Sequence, residues 1–187
     1  MKYSDGANWE EGQQAFRYGA FYLFPPPGII EAIDRLRQQY DPISSAICQA
    51  HISLSQPLSA PPTDQQLDEL RRLLSSTDPF EIHYGPLRSF PPYPGVAYGI
   101  EPQDRFMELR ALVQSAALFA SVPPAEQEVA AHITVAEFIT VEETDKLLAE
   151  LQGNVPEGTY PCDAVEYAMP NDAFCFQRVL SLPLGRV

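Results

Sequence analysis

Two stretches of the chain repeat one pattern: Gln49-Ala50-His51-Ile52-Ser53-Leu54 and Ala130-Ala131-His132-Ile133-Thr134-Val135. Each places an alanine before a histidine, then an isoleucine, a hydroxyl residue and another apolar residue. Along a β-strand, successive side chains point to opposite faces. His51 and Ser53 therefore share one face, with Ser55 next along, while Ala50, Ile52 and Leu54 share the other. The second copy groups His132 with Thr134 and sets Ala131, Ile133 and Val135 behind them. Such alternation restricts the chain to two half-buried strands, each with one face on a core and a histidine and a hydroxyl on the opposite face. The chain has only three histidines, and two of them stand in this pattern.

The neighbourhoods of the two copies repeat as well. The chain has 19 prolines among 187 residues, about twice the usual ~5%. They cluster at Pro25-Pro26-Pro27, Pro61-Pro62, Pro91-Pro92 with Pro94, and Pro123-Pro124, where they mark turns between periodic segments. The pattern predicts a strand over 18–24, a helix over 28–40 and the first histidine strand over 46–56. A helix over 63–75 follows, opened by a capping box of Thr63 and Gln66, and then a strand over 80–88. The order then recurs: a strand over 96–100, a helix over 104–120, the second histidine strand over 129–138, a helix over 141–151 capped by Thr140 and Glu143, and a strand over 159–168. A last strand over 173–184 closes the domain. His51 and His132 are 81 residues apart, close to the offset of the neighbouring elements. The expected class is α+β: a bilobal fold of duplicated β-α-β-α-β halves, with both histidine strands facing one central cleft. The lobes are expected at roughly 16–90 and 91–187, and residues 1–15 are expected to form a flexible, acidic arm.

Composition narrows the function. The chain has 45% hydrophobic and 20% charged residues, as expected of a globular domain. It has no run of the roughly 18–20 apolar residues that a membrane span needs. Residues 1–14 have no basic start followed by an apolar stretch, so no secretory signal is expected and the expected compartment is the cytoplasm. Cys48, Cys162 and Cys175 are too few and too scattered for a disulfide framework or a zinc knuckle. Cys48 precedes His51 by three residues, an odd spacing that sets the two on opposite faces of one strand. The net charge is −13, which repels a long polyanion. The expected partner is therefore a small nucleotide or an RNA terminus held in a local pocket.

Two histidines on facing strands suit phosphodiester chemistry. A neutral imidazole takes a proton from the attacking oxygen, and an imidazolium on the other side of phosphorus donates one to the leaving oxygen. An ordinary pKa near 6.5 makes both forms accessible. Ser53 and Thr134 are placed to hydrogen-bond the non-bridging oxygens as charge collects there. Neither the sequence nor this logic decides which histidine is acid and which is base, although hydrolysis of a cyclic phosphate leans toward His132 as base.

The two motifs His51-Ile52-Ser53 and His132-Ile133-Thr134 resemble those of the two-histidine (2H) phosphoesterase superfamily. The chain resembles LigT-like proteins, a group of 2′-5′ RNA ligases and cyclic phosphodiesterases, over roughly residues 16–185. The resemblance implies two antiparallel sheets around the cleft. It also implies metal-independent, cofactor-free hydrolysis or transfer at 2′,3′-cyclic phosphates or 2′-5′ linkages in RNA processing, with His51 and His132 catalytic and Ser53 and Thr134 binding phosphate. Ser53 departs from the more usual threonine and keeps the hydroxyl, though serine is freer in χ1. Two readings stay open beside hydrolysis: a non-catalytic nucleotide or RNA-end binding protein that uses the same cleft, and the 2′-5′ ligase direction.

Other candidates follow from position. Arg88 and Arg178, on expected strands, could reach a phosphate. Tyr98, with Tyr22, Tyr84 and Tyr93, could stack on a base. His83, on the strand over 80–88, reads mainly as an exposed strand residue. A zinc site combining it with His51 and His132 has no supporting motif, and no metal is expected.

Overall fold

The computed structural model describes residues 1–90, 93–123 and 129–185. Pro91, Pro92 and Pro124 of the expected turns lie outside the described residues, as does the side chain of Tyr93. The elements run β1 (Ala20–Leu23), α1 (Pro27–Tyr40), α2 (Pro42–Ile47), β2 (Ile52–Ser53), α3 (Asp64–Leu74), β3 (Phe80–Phe90), β4 (Tyr93–Glu101), α4 (Gln103–Gln114), β5 (His132–Glu137), α5 (Val141–Leu151), β6 (Gly158–Cys162), β7 (Ala164–Pro170) and β8 (Phe176–Pro183). The fold is α+β, with two antiparallel four-stranded sheets ordered β2-β1-β7-β8 and β5-β4-β3-β6.

Local chemistry explains most of the boundaries. The Thr63 side chain accepts from the Gln66 amide at the start of α3, and the Thr140 side chain accepts from the Glu143 amide at the start of α5. Both are reciprocal capping boxes that satisfy amides otherwise left orphaned at a helix start. Apolar residues at helical spacing then turn inward: Leu67, Leu70 and Leu74 on α3, Phe106, Leu109 and Val113 on α4. The core is continuous across both sheets. Phe21, Leu23 and Ile52 of the first belong to the same buried cluster as Ile82, Tyr98 and Ile133 of the second.

The repeated order of elements is present, but the lobes are not the two consecutive halves. β3 pairs with β4 and β6, so the segment expected to end the first lobe lies in the sheet of the second histidine strand. In exchange, β7 and β8 complete the sheet of the first. The cause is the β3–β4 hairpin, whose pairing runs across the expected boundary near residue 90.

Three further expectations are corrected. The first histidine strand is short, because Asp41-Pro42 starts a helix. Pro42 occupies the first turn, where its missing N–H costs nothing, and the Asp41 carboxylate accepts from the Ser44 amide. The strand expected over 159–168 is two strands in different sheets. Tyr160 and Cys162 are buried on β6, and Val165 and Tyr167 on β7, so the buried phase flips from even to odd positions across Asp163.

Nor is the N-terminal segment a loose arm. Residues Glu11–Phe16 form a 3-10 helix. Ser4 Oγ donates to Asp172 Oδ1 at 2.6 Å, and Trp9 Nε1 donates to the Asp172 carbonyl at 3.1 Å. The Trp9 ring meets Phe174 edge-on at 5.2 Å, and Phe16 meets both Phe174 and Phe176. Tryptophan burial explains the docking, because ring contacts of this kind add to a large loss of apolar surface.

Trp9→Ala is expected to lower unfolding stability by about 3 kcal/mol, as for large-to-small changes at buried aromatics, when measured by urea denaturation. A change under about 0.5 kcal/mol, as for an ordinary surface residue, would restore the flexible-arm picture.

Candidate active site

The two histidine motifs present the same local geometry. His51 precedes β2, and its Nδ1 lies 2.7 Å from the Gln49 carbonyl oxygen. His132 opens β5, and its Nδ1 lies 2.9 Å from the Ala130 carbonyl oxygen. A carbonyl only accepts, so Nδ1 carries the proton in each ring. Each neutral imidazole therefore keeps its lone pair on Nε2, the nitrogen that can act on a substrate. Aromatic walls fix the His51 ring, with Tyr22 edge-on at 4.9 Å and Phe24 at 5.9 Å.

Alternation holds as expected on the reverse face. Ala50, Ile52, Leu54, Ala131, Ile133 and Val135 are all buried. Ser53 is exposed and Thr134 half-buried. Ser55 does not continue the functional face: its Oγ accepts from the Phe21 amide and donates to the Gln56 carbonyl, which closes the short edge beside β1.

The register of the second sheet brings in Arg88. Gly99 lies opposite His132, and Ala97 lies opposite Thr134 on one side and Arg88 on the other. These residues share one face of the sheet. A Cβ at Gly99 would lie 1.6 Å from Arg88 Nη2, so the guanidinium lies directly over the glycine, beside the strand that carries His132. Arg178 is on the other sheet, its guanidinium 4.9 Å from the centre of the Phe24 ring that also touches His51. It lines a hollow of about 640 Å³ together with Gln49, Arg35 and Glu31. The two expected arginines thus flank the histidines from opposite lobes.

Tyr98 does not join them. It is fully buried on the opposite face of β4, in contact with Tyr84 at 5.5 Å. Its place opposite Leu87 and Ile133 in the ladder points it into the core, so its expected role in base stacking is withdrawn, and that of Tyr84 with it. Tyr22 is buried beside His51 as a wall. His83 is exposed, opposite Glu101 and Thr159, two strands from His132. Among the described residues no three His, Cys, Asp or Glu side chains form a metal-ligand group. Burial pushes the Cys48 thiol up to about 12, which suppresses the thiolate that a Cys–His nucleophile would need.

Two supporting groups escaped the sequence analysis. Arg110, on α4, donates through Nη1 to the Val129 carbonyl at 2.7 Å and through Nη2 to the Ser53 carbonyl at 3.1 Å. It stacks over Phe106 at 4.6 Å and so ties one motif to the approach of the other. The second group is a buried pair: Arg37 Nη1 is 2.8 Å from Asp34 Oδ1. Arg37 also donates to the Cys48 and Ser44 carbonyls, while Asp34 accepts from the Ala50 amide at 2.9 Å. This network fixes the turn that delivers His51. Helical periodicity makes Asp34 and Arg110 look like solvated surface, so no local signal marked them.

The surroundings favour the neutral form of both rings. Burial lowers His51 to about 4, with the nearby charges of Arg37 and His132 acting in the same direction and the Gln49 carbonyl opposing. Burial also lowers His132, helped by Arg110 and opposed by the Ala130 carbonyl. β2 is in contact with β5, so the two motifs lie side by side across the two sheets.

A sequence profile for the 2′-5′ RNA ligase superfamily matches residues 25–168, and the chain belongs to that family. Among curated relatives, a putative phosphoesterase of Bacillus cytotoxicus is 38% identical over 80 residues, which cover 41% of this chain and 45% of that protein. A putative phosphoesterase of Bacillus cereus shows the same identity and coverage. The alignments thus span under half the length of these relatives. Among solved structures, E. coli LigT complexed with 3′-AMP aligns with a TM-score of 0.59 and 15% identity, over 88% of this chain and 96% of LigT. LigT complexed with NADP+ aligns with a TM-score of 0.55 and 16% identity, over 89% and 96%. The fold is LigT-like.

Titration of the free protein followed by histidine NMR is expected to place the His51 midpoint far below 6.5, near 4, with that of His132 also lowered. Both folded values lie below the unfolded one, so the unfolded chain binds more protons in that window. Stability should therefore fall as pH drops from about 6.5 toward 4. A midpoint at or above 6.5 for His51 would contradict the arrangement.

Proposed function

We propose that the protein is a metal-independent phosphodiesterase that acts on a 2′,3′-cyclic phosphate or a 2′-5′ linkage of a small nucleotide or RNA end. The observation that carries this reading is the matched pair of imidazoles, each with Nδ1 tied to the carbonyl two residues upstream, which sets the lone pair of the neutral ring on Nε2. One ring removes the proton of the attacking water as the other protonates the departing ribose oxygen. Ser53 and Thr134, whose hydroxyls make no hydrogen bond to described residues, are assigned to the non-bridging oxygens. Arg88 and Arg178 are assigned to phosphate charge, one from each lobe.

Burial holds both rings toward the neutral form, and the charge of His132 disfavours that of His51. One ring then serves as the acid and the other as the base. A phosphodiester anion between the rings raises both pKa values, so binding itself loads the acid.

Turnover of 2′,3′-cyclic nucleotides and of a 2′-5′-linked dinucleotide with excess EDTA tests the proposal. His51→Ala and His132→Ala are each expected to cut kcat by about 10²–10⁴-fold, with EDTA having no effect. The pH profiles should be bell-shaped. The optimum of kcat/KM, which reports the free enzyme, should lie below neutral, and that of kcat should lie higher, because the bound anion raises the acid's pKa. Loss of activity to EDTA, or a monotonic profile for the chemical step, would contradict the mechanism. Ligand binding without turnover of any such substrate would favour a binding protein.

A further inference from the structure

We propose that Phe138 and the floor of small residues on β4 form a nucleobase platform, so that the site selects a base-bearing phosphate by stacking and tolerates a change of base. The inference rests on the reading of His51 and His132 as the phosphate-handling pair. Beside His132 and Thr134 opens a hollow of about 350 Å³, which reaches Phe138 and Ile139 past the end of β5. That is near the low end of small-ligand pockets, about 300–1,000 Å³, and matches a nucleoside better than an oligonucleotide.

Its floor is flat. On the face of β4 shared with His132 and Thr134, Gly95 and Ala97 line the hollow, with nothing larger than a methyl group, and Gly99 beyond them lies under the Arg88 guanidinium. A Cβ at Gly95 would approach the Ala136 carbonyl oxygen to 2.8 Å, so the floor is closed against the backbone of β5.

Phe138 is the unusual member. It is 90% exposed, and its φ of 58° is in the left-handed region that bulky residues rarely adopt. A phenylalanine gains nothing by standing in water at a backbone cost, and such a combination points to function rather than packing. Its position on the rim of a hollow that also contains His132 and Thr134 names the occupant: the ring system attached to the phosphate those residues hold.

The opposite side of the histidine pair differs in chemistry. The larger hollow there is lined by Arg35, Arg178, Glu31, Asp34 and Gln49 and suits a sugar or a second phosphate. This sets a direction for the substrate, base toward Phe138 and polar remainder toward Arg178. Among the described residues that line the base hollow, the only ionisable side chain besides His132 is Glu137, whose carboxylate already accepts from Ser44 Oγ at 3.0 Å. Stacking without a set of edge-reading groups is tolerant of sequence, since every base has a π-face.

The test is calorimetric binding of a nucleoside 3′-monophosphate and, separately, of inorganic phosphate. The proteins compared are the wild type, Phe138→Ala, Phe138→Trp and Ala97→Leu. Phe138→Ala is expected to weaken nucleotide binding about tenfold and to leave phosphate binding within about twofold. Phe138→Trp should restore the nucleotide affinity. Ala97→Leu, which fills the floor, should weaken the nucleotide alone, and purine and pyrimidine nucleotides should bind within a few-fold of each other. The platform is overturned if Phe138→Ala weakens both ligands equally, or if the wild type binds the nucleotide no better than phosphate. Turnover measured in parallel reports on the catalytic reading separately: base-dependent binding without turnover would sink catalysis and leave the platform standing.

Discussion

The structure depends on the complete burial of one face of each histidine strand. Ile52 and Ile133, the residues immediately after the two histidines, are both fully buried in one core that spans the two sheets. Because side chains alternate strictly, a slip of one residue in either strand would drive a histidine into that core and an isoleucine into the cleft. Burial of apolar area thus fixes the register, and the register aims the imidazoles. The carbonyl two residues upstream of each histidine then selects the tautomer. A weak directional interaction is made decisive by a strong non-directional one.

Charge is arranged locally against a global background. The chain has a net charge of −13, yet Arg37, Arg88, Arg110 and Arg178 all gather around the two motifs. Their positions give a small anion a local attractive field, while the whole surface repels a long polyanion. Two of the four do a second job. Arg37 holds the turn before His51, and Arg110 bridges Ser53 and Val129. Their positive charge adds to burial, the larger cause, in favouring the neutral form of the neighbouring imidazoles.

Much of this could be read in the sequence, because alternation and capping are local signals. The two histidine motifs, both capping boxes and the order of most elements follow from spacing, while α2 and the split into β6 and β7 do not. What stayed hidden is non-local. Nothing near Phe80–Phe90 says that this strand pairs with β4 and β6 rather than with its own half. The phase flip at Asp163 was legible in Tyr160, Cys162, Val165 and Tyr167, but two short alternating runs with only Asp163 between them are easily taken for one strand. The ladder sets Arg88 on the face of His132, whereas Tyr98, one of several strand tyrosines, sits on the face turned inward. Asp34 and Arg110 act across long sequence distances, and helical periodicity places them on surfaces that only the fold brings to the site.

The central claim is that both imidazoles address one phosphoryl group. The most direct measurement is a crystal structure of the protein with a nucleoside 3′-monophosphate. The account predicts Nε2 of His51 and Nε2 of His132 within hydrogen-bonding distance, about 2.6–3.2 Å, of oxygens on the same phosphorus, with Ser53 and Thr134 on its remaining oxygens. A phosphate held by one histidine alone, with the other Nε2 bonded to protein or turned from the cleft, would contradict it.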